Sequence, residues 1–358
     1  MKGMGWRIIW AIARKDVVDA IRDKTIQGVL LGILMMMLTG RALPLMTGLS
    51  DDRTLIVYDE GQSRTILQLR KQAHVRLGRA ASLDEMEALV GTAADVRLGL
   101  VLPAGYDQAV AEGRVPLLTV YAVHWAKASE VEERRAFFER ALSEATGEPA
   151  RVQVATERVY PPADADGFTT LATSVVILVT LTVGIFLVPY LIGDERQNQT
   201  LNALLVSPAR IGQIVTAKAL AGSLYCLLTA AIAVAFNANL FVHWWVVVVT
   251  IAAATLLSVG IGLLLGTLFE LPQQMNAVAG LVLAVFLVPV YLVGRLALPP
   301  LLETLLAYVP SAALNAALVT SLARSVPLGS LALKLGSVLA LSAAVYALTI
   351  WHIRRSDR

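Results

Sequence analysis

The sequence predicts an α-helical polytopic membrane protein: six transmembrane helices, an amphipathic interfacial helix at the amino terminus, and an extracytoplasmic α/β domain between helices 1 and 2. Three observations carry this. Of 358 residues, 56% are hydrophobic and 16% charged, with a mean hydropathy of +0.66, a bias that ordinary soluble domains do not carry. Apolar runs of membrane-spanning length recur along the chain. One stretch of about a hundred residues breaks that pattern and reads as globular protein with its own core.

Residues 1–24 read as a cytoplasmic interfacial helix. Trp6, Ile9, Trp10, Ala13, Val17, Ala20 and Ile21 recur at three- and four-residue spacing, with Arg7, Arg14, Lys15, Asp19 and Arg22 largely opposite. Trp6 and Trp10 suit the headgroup level, while Arg14 and Lys15 suit an anionic leaflet of membrane lipid. Residues 25–49 hold transmembrane helix 1, with its apolar run at 26–46. Gly28 and Gly32 are spaced there for close helix contact, and Arg41 can snorkel at the far end. The run is read as a retained crossing, because the residues before it are too many and too patterned for the n-region of a cleaved signal peptide.

Residues 50–166 form the α/β domain. The β-type runs TLIVYD, VRLGLVL, PLLTVYAV and RVQVATERVY alternate with helical stretches, the clearest being ASEVEERRAFFERALSEATG. The stretch YPPADADG is a hinge back to the membrane. Residues 167–353 then carry helices 2–6 in apolar segments at 168–192, 215–241, 244–269, 276–293 and 331–353. Between the last two, 296–328 is apolar but broken by Pro299, Pro300, Pro310 and Pro327, which predicts a pair of short outer re-entrant helices instead of a straight span.

Residues 354–358 are a cytoplasmic tail. Orientation follows from Lys2, Arg7, Arg14, Lys15, Arg22 and Lys24 at the start, Arg196, Arg210 and Lys218 near the middle, and Arg354, Arg355 and Arg358 at the end. Six crossings bring all three groups to the cytoplasmic side.

Several functions lack their residues. No G-x-x-x-x-G-K-[ST], H-E-x-x-H or G-x-S-x-G occurs, and His74, His124, His243 and His352 are isolated in sequence, so the enzyme reading is weak. The single cysteine, Cys226, permits no intrachain disulfide and no Cys-based metal site. The net charge of +3 gathers beside apolar runs, where it serves orientation and argues against nucleic acid as a partner. In the crossings after the α/β domain, Asp194, Glu195, Lys218, Glu270, Arg295 and Lys334 all fall near ends, which disfavours an ion-coupled carrier. Thr180, Thr182, Asn237, Asn239 and Asn276 are the polar residues in or near these spans, suited either to hydrogen bonding between helices or to lining a pathway.

The stretch GDERQNQTLNALLVSPARIG interrupts two apolar runs with a cytoplasmic amphipathic helix, 194–211. Leu201, Leu204 and Leu205 lie on one face for a partner's groove, and Pro208 turns the chain. Here the sequence resembles the membrane subunits of ABC type-2 exporters, whose second crossing is followed by E-[RK]-E-x-G-T-L-E-x-L-L-x-[ST]-P. Glu195, Thr200, Leu201, Leu204, Leu205, Ser207 and Pro208 match that pattern; Gln197 and Asn202 stand where it has Glu and remove negative charge, and Gln199 stands where it has Gly. The order of elements along the chain is also similar to that family, and within it the external domain between the first two crossings is similar to that of Na+-efflux permeases of the NatB kind and of drug or lipid exporters.

The resemblance implies a permease paired with a separate ABC ATPase subunit and with a second permease copy, as a homodimer or a related heterodimer. It implies no cofactor on this chain, ATP and Mg2+ on the partner, and a bacterial or archaeal plasma membrane with both termini cytoplasmic. The substrate would be Na+ or an amphipathic drug or lipid. An alternative stays open: a membrane-anchored sensor or assembly protein that uses the α/β domain without transport. The six-crossing topology predicts that cysteines introduced at Ser129 and at Gln199 label from opposite sides of intact cells, Ser129 from outside. Labelling from the same side removes it.

Overall fold

The computed structural model describes residues 10–15, 18, 27–28, 31–32, 35, 53–71, 75–93, 96–114, 116–155, 157–162, 168–197, 211–269, 271–292, 299–307 and 309–356. The chain divides into two compact units: Gly40–Leu171 with Leu322–Val326, and Met1–Thr39, Ala172–Ser321 and Pro327–Arg358.

The α/β unit is built on a five-stranded sheet of β1 (Arg53–Asp59), β2 (Val75–Ala80), β3 (Leu98–Leu102), β4 (Leu117–Ala122) and β5 (Arg151–Val154), in the order β2-β1-β3-β4-β5. β1 pairs in parallel with both β2 and β3, β3 with β4 antiparallel, and β4 with β5 in parallel. The interior strand β1 buries the consecutive residues Leu55, Ile56 and Val57, as a strand covered on both faces must. Among the described residues, four helices accompany it: α1 (Arg64–Leu69), α2 (Leu83–Gly91), α3 (Tyr106–Ala111) and α4 (Ala128–Thr146). α2 packs on β1, β2 and β3, while α1 and α4 pack on each other.

Local chemistry starts these helices. Ser82 Oγ accepts from Glu85 N at 3.1 Å, and Glu85 Oε2 accepts from Ala81 N at 2.6 Å, so two amides at the head of α2 are satisfied reciprocally. Asp107, in the first turn of α3, reaches across to α1, where its carboxylate accepts from Arg64 N, from Thr65 N at 3.4 Å and from Thr65 Oγ1 at 2.8 Å. Burial pushes this carboxyl up, but those hydrogen bonds outweigh it and hold the group below its usual value.

The strand β2 is not among the β-type runs of the sequence. Arg76, Gly78 and Arg79 dilute its apolar pattern, and it lies at a sheet edge, where charged side chains are tolerated and block pairing with other chains. The run RVQVATERVY is also shorter as a strand than its composition suggests. It ends at Val154, and beyond it only an isolated bridge joins Val123 to Val159.

The second unit is helical. α5 (Phe168–Thr182) passes through a π-helical turn (Val183–Leu187) into α6 (Val188–Gln197); then come α7 (Ile211–Phe236), α8 (Trp244–Leu268), α9 (Pro272–Leu292), α10 (Pro300–Ala307), α11 (Pro310–Val319) and α12 (Leu328–Ser356). Among the described residues, five helices are long and apolar enough to cross a membrane: Thr170–Ile192, Gln213–Phe236, Trp244–Leu268, Gln273–Val290 and Leu328–Arg355. Pro300–Leu306 and Pro310–Val319 form a pair bent by 82°, in the segment whose prolines predict a break. Of the first apolar run, residues 27–28, 31–32 and 35 are described and helical. A Cβ added to Gly28 or Gly32 would meet no atom within 4 Å in the single chain.

α8 lies at the centre, in contact with the π turn and with α6, α7, α9, α11 and α12. In lipid, helices gain little from hiding apolar surface and associate through close packing, which small residues permit. A Cβ on Gly184 would overlap Ser258, and one on Gly262 would overlap the Gly184 carbonyl. One on Gly266 would come within 2.7 Å of Ile192 Cδ1 and 3.2 Å of Pro189 Cα. The buried share is 78% for Trp244–Leu268 and 22% for Leu328–Arg355, so α8 is an interior helix and α12 shows most of its surface outward.

Two predictions follow from this packing. Gly262→Val should cost about 1–3 kcal/mol through overpacking and lower the melting temperature of the detergent-purified chain, whereas Gly280→Ala, which meets open space, should not. Equal effects contradict the close-approach account. Because the Asp107 carboxyl is held low in the folded chain, its contribution is present at neutral pH and lost as pH falls through its folded-state value. Asp107→Asn should therefore lower the melting temperature at about pH 7, with the gap narrowing toward about pH 3. A gap that widens in acid contradicts it.

Candidate functional site

The 194–211 stretch singled out by sequence runs from the end of α6 to the start of α7. Glu195 falls within α6, whose helix runs on to Gln197, and Ile211 opens α7. Thr200, Leu201, Leu204, Leu205, Ser207 and Pro208 lie outside the described residues. The site is therefore built from what the two flanking helices hold.

Residues 10–15 are helical, and Ile12 and Ala13 pack with Ile214 and Ala217 near the start of α7. The amino-terminal segment thus meets the turn that follows the interrupted stretch. Arg14 and Lys15 are exposed, and Trp10 is 63% exposed. Ala13 belongs to the apolar face read from the spacing, but the residue buried beside it is Ile12, with Trp10 turned outward. Trp6 lies outside the described residues.

One helical position beyond Ala217, Lys218 is only 2% exposed, and its Nζ donates to Leu191 O in α6 at 2.7 Å. This corrects the reading of Lys218 as an orienting charge at the membrane edge. Its long stem follows the apolar α6–α7 contact, and its amine finds a carbonyl inside instead of reaching out to headgroups. The two helices also approach closely nearby, where a Cβ on Gly222 of α7 would overlap Val188 of α6.

The polar residues selected within the spans are used locally. Thr180 Oγ1 donates to Val176 O at 2.8 Å, Thr182 Oγ1 to Leu178 O at 2.7 Å, and Asn237 Nδ2 to Ala233 O at 3.0 Å, each within its own helix. Asn239 and Asn276 are exposed. Besides the Lys218 bond, further bonds between helices come from residues that the sequence reading passed over. Buried Thr173 Oγ1 donates to Asn315 Oδ1 at 3.0 Å, and Ser311 Oγ to Phe286 O at 2.7 Å. The available signal was Asn315, an amide inside the otherwise apolar PSAALNAALV.

In the α/β unit, His124 stacks on Tyr160 with centroids 4.9 Å apart, while His74 lies outside the described residues. A cavity of about 510 Å³ in this unit is lined in part by Asp84, Glu87, Glu157 and Arg324, with Arg324 paired to Glu157. Burial, then the neighbouring Asp84 and Glu157, push the Glu87 carboxyl up. Among the described residues, no group of three or more His, Cys, Asp or Glu could hold a metal ion.

Residues 26–351 match the family model described as "ABC-2 family transporter protein". No curated protein matches the chain.

The contact between residues 10–15 and α7 is open to test. Ala217 is fully buried against Ile12 and Ala13, so Ala217→Leu should displace the amino-terminal helix by overpacking. Amide hydrogen exchange in residues 10–15 should then rise about tenfold or more, while α8 stays protected. Unchanged exchange means that the contact does not hold this helix.

Proposed function

Because this chain belongs to the ABC-2 transporter family, we propose that it is the permease subunit of an exporter driven by a separate ABC ATPase. The match over residues 26–351 carries the reading, since it takes in the apolar spans and the inserted α/β unit together. The ATPase grips the 194–211 stretch through Glu195, Thr200, Leu201, Leu204, Leu205, Ser207 and Pro208, and touches the amino-terminal helix at Trp6, Trp10, Arg14 and Lys15. Support comes from Ile12 and Ala13, which pack on the first turns of α7, next to that stretch in the chain. ATP and Mg2+ sit on the partner, and a second permease copy completes the path. The chain lies in a bacterial or archaeal plasma membrane with its termini in the cytoplasm and the α/β unit outside.

For the substrate we favour an amphipathic drug or lipid over Na+. Among the residues whose burial is described, the buried polar groups of the spans are hydroxyls, the Asn315 amide and Lys218, and no carboxylate is among them. Such an interior suits an apolar molecule with a polar head better than a stripped cation that needs anionic ligands.

Two measurements test the reading. Leu204→Asp should place an unpaired charge in the ATPase contact, at a cost of about 3–5 kcal/mol, and reduce copurification of the ATPase by about a hundredfold or more. Gln197→Glu should leave it near wild type. Wild-type recovery of the ATPase with Leu204→Asp reduces this stretch to a plain loop. Vesicles holding both subunits should export a labelled amphipath upon ATP addition, and transport of labelled Na+ with no response to amphipaths reverses the substrate choice.

A further inference from the structure

We infer that Lys218 is a positioning residue that ties α6 to α7, so that the two helices flanking the ATPase-docking stretch answer its stroke as one body. The inference rests on the docking reading above. An amine buried inside a span is costly and persists where it serves a specific contact. Here it joins two helices: Nζ donates to Leu191 O at 2.7 Å, from a side chain only 2% exposed. Leu191 and Lys218 each lie about two helical turns from residues 198–210, one on either side, so the bond joins the helices that lead into and out of that stretch.

The surroundings give the tie its consequence. Ile214 and Ala217, on the same side of α7, clasp Ile12 and Ala13, so a push on the amino-terminal helix reaches α7 one turn from the tie. On α6, Ile192 follows Leu191 and abuts Gly266 of the central α8, where no Cβ could fit without displacement. Apolar contact between α6 and α7 alone would let the helices slide, whereas a directed hydrogen bond fixes their register. A carbonyl has two lone pairs, so Leu191 O can accept from Lys218 without giving up its place in the helical ladder.

The test uses the full chain purified with its ATPase. Spin labels are placed at Tyr190 and Thr216 to read the tie, and at Thr216 and Leu348 to read the stroke. The one native cysteine, Cys226, is buried and does not compete. With ATP and vanadate, the Thr216–Leu348 distance of the wild-type chain should change by about 2 Å or more while Tyr190–Thr216 stays fixed. Lys218→Met should keep the bound ATPase but let Tyr190–Thr216 broaden and shift with nucleotide, and Lys218→Arg should restore the narrow distribution. A wild-type Tyr190–Thr216 distance that shifts as much as Thr216–Leu348 overturns the inference without any variant. So does a Lys218→Met chain whose tie is as narrow as wild type. Absence of any bound ATPase from the wild-type chain overturns the functional reading, and this inference with it.

Discussion

The membrane unit depends on one close approach, between the π turn at Gly184 and the face of α8 carrying Ser258 and Gly262. No Cβ fits on either glycine without overlap. In water, such a contact would be one term among many apolar ones. In lipid, where the tails are as apolar as leucine, the depth to which two helices interlock decides whether they associate at all. The π turn adds one residue to a helical turn, a local feature that recurs at functional sites in helices. With the π turn and α6 seated against α8, the other spans leave apolar faces such as Leu224, Leu281 and Leu333 exposed, as lipid contact requires.

From this centre the structure reaches the helices that flank residues 198–210 in two steps. Ile192 rests on Gly266, which joins α6 to α8, and the Lys218 bond to Leu191 O joins α7 to α6. The amino-terminal helix adds a third member through Ile12 and Ala13. An ATPase that pulls on residues between α6 and α7 thus acts on helices already connected to the core. The α/β unit is held by other means: a mixed sheet with apolar central strands, and the Asp107 carboxylate that fixes the start of α1.

The sequence made the spans legible because a span's length and apolar content are properties of the segment itself. The run read at 244–269 is the helix Trp244–Leu268, and ASEVEERRAFFERALSEATG is α4 from Ala128 to Thr146. The destinations of polar side chains were not legible, because each depends on which carbonyl another helix brings near. Lys218 looked like a flanking charge until Leu191 O was beside it, and Thr180 looked like a bridging residue but bonds its own helix. The strand β2 escaped for a related reason: its pairing with β1 is set by a neighbour distant in sequence, while its own residues carry the charges of an edge.

The central claim is that the 194–211 stretch is where an ATPase grips this permease, and a photo-crosslinking amino acid at Leu204 in native membranes tests it directly. The account predicts that irradiation joins the chain to an ATP-binding polypeptide in stoichiometric yield, and that the product is absent when the crosslinker is placed at the outward-facing Leu333. Products at Leu204 that contain only lipid, or only a second copy of this chain, would contradict it.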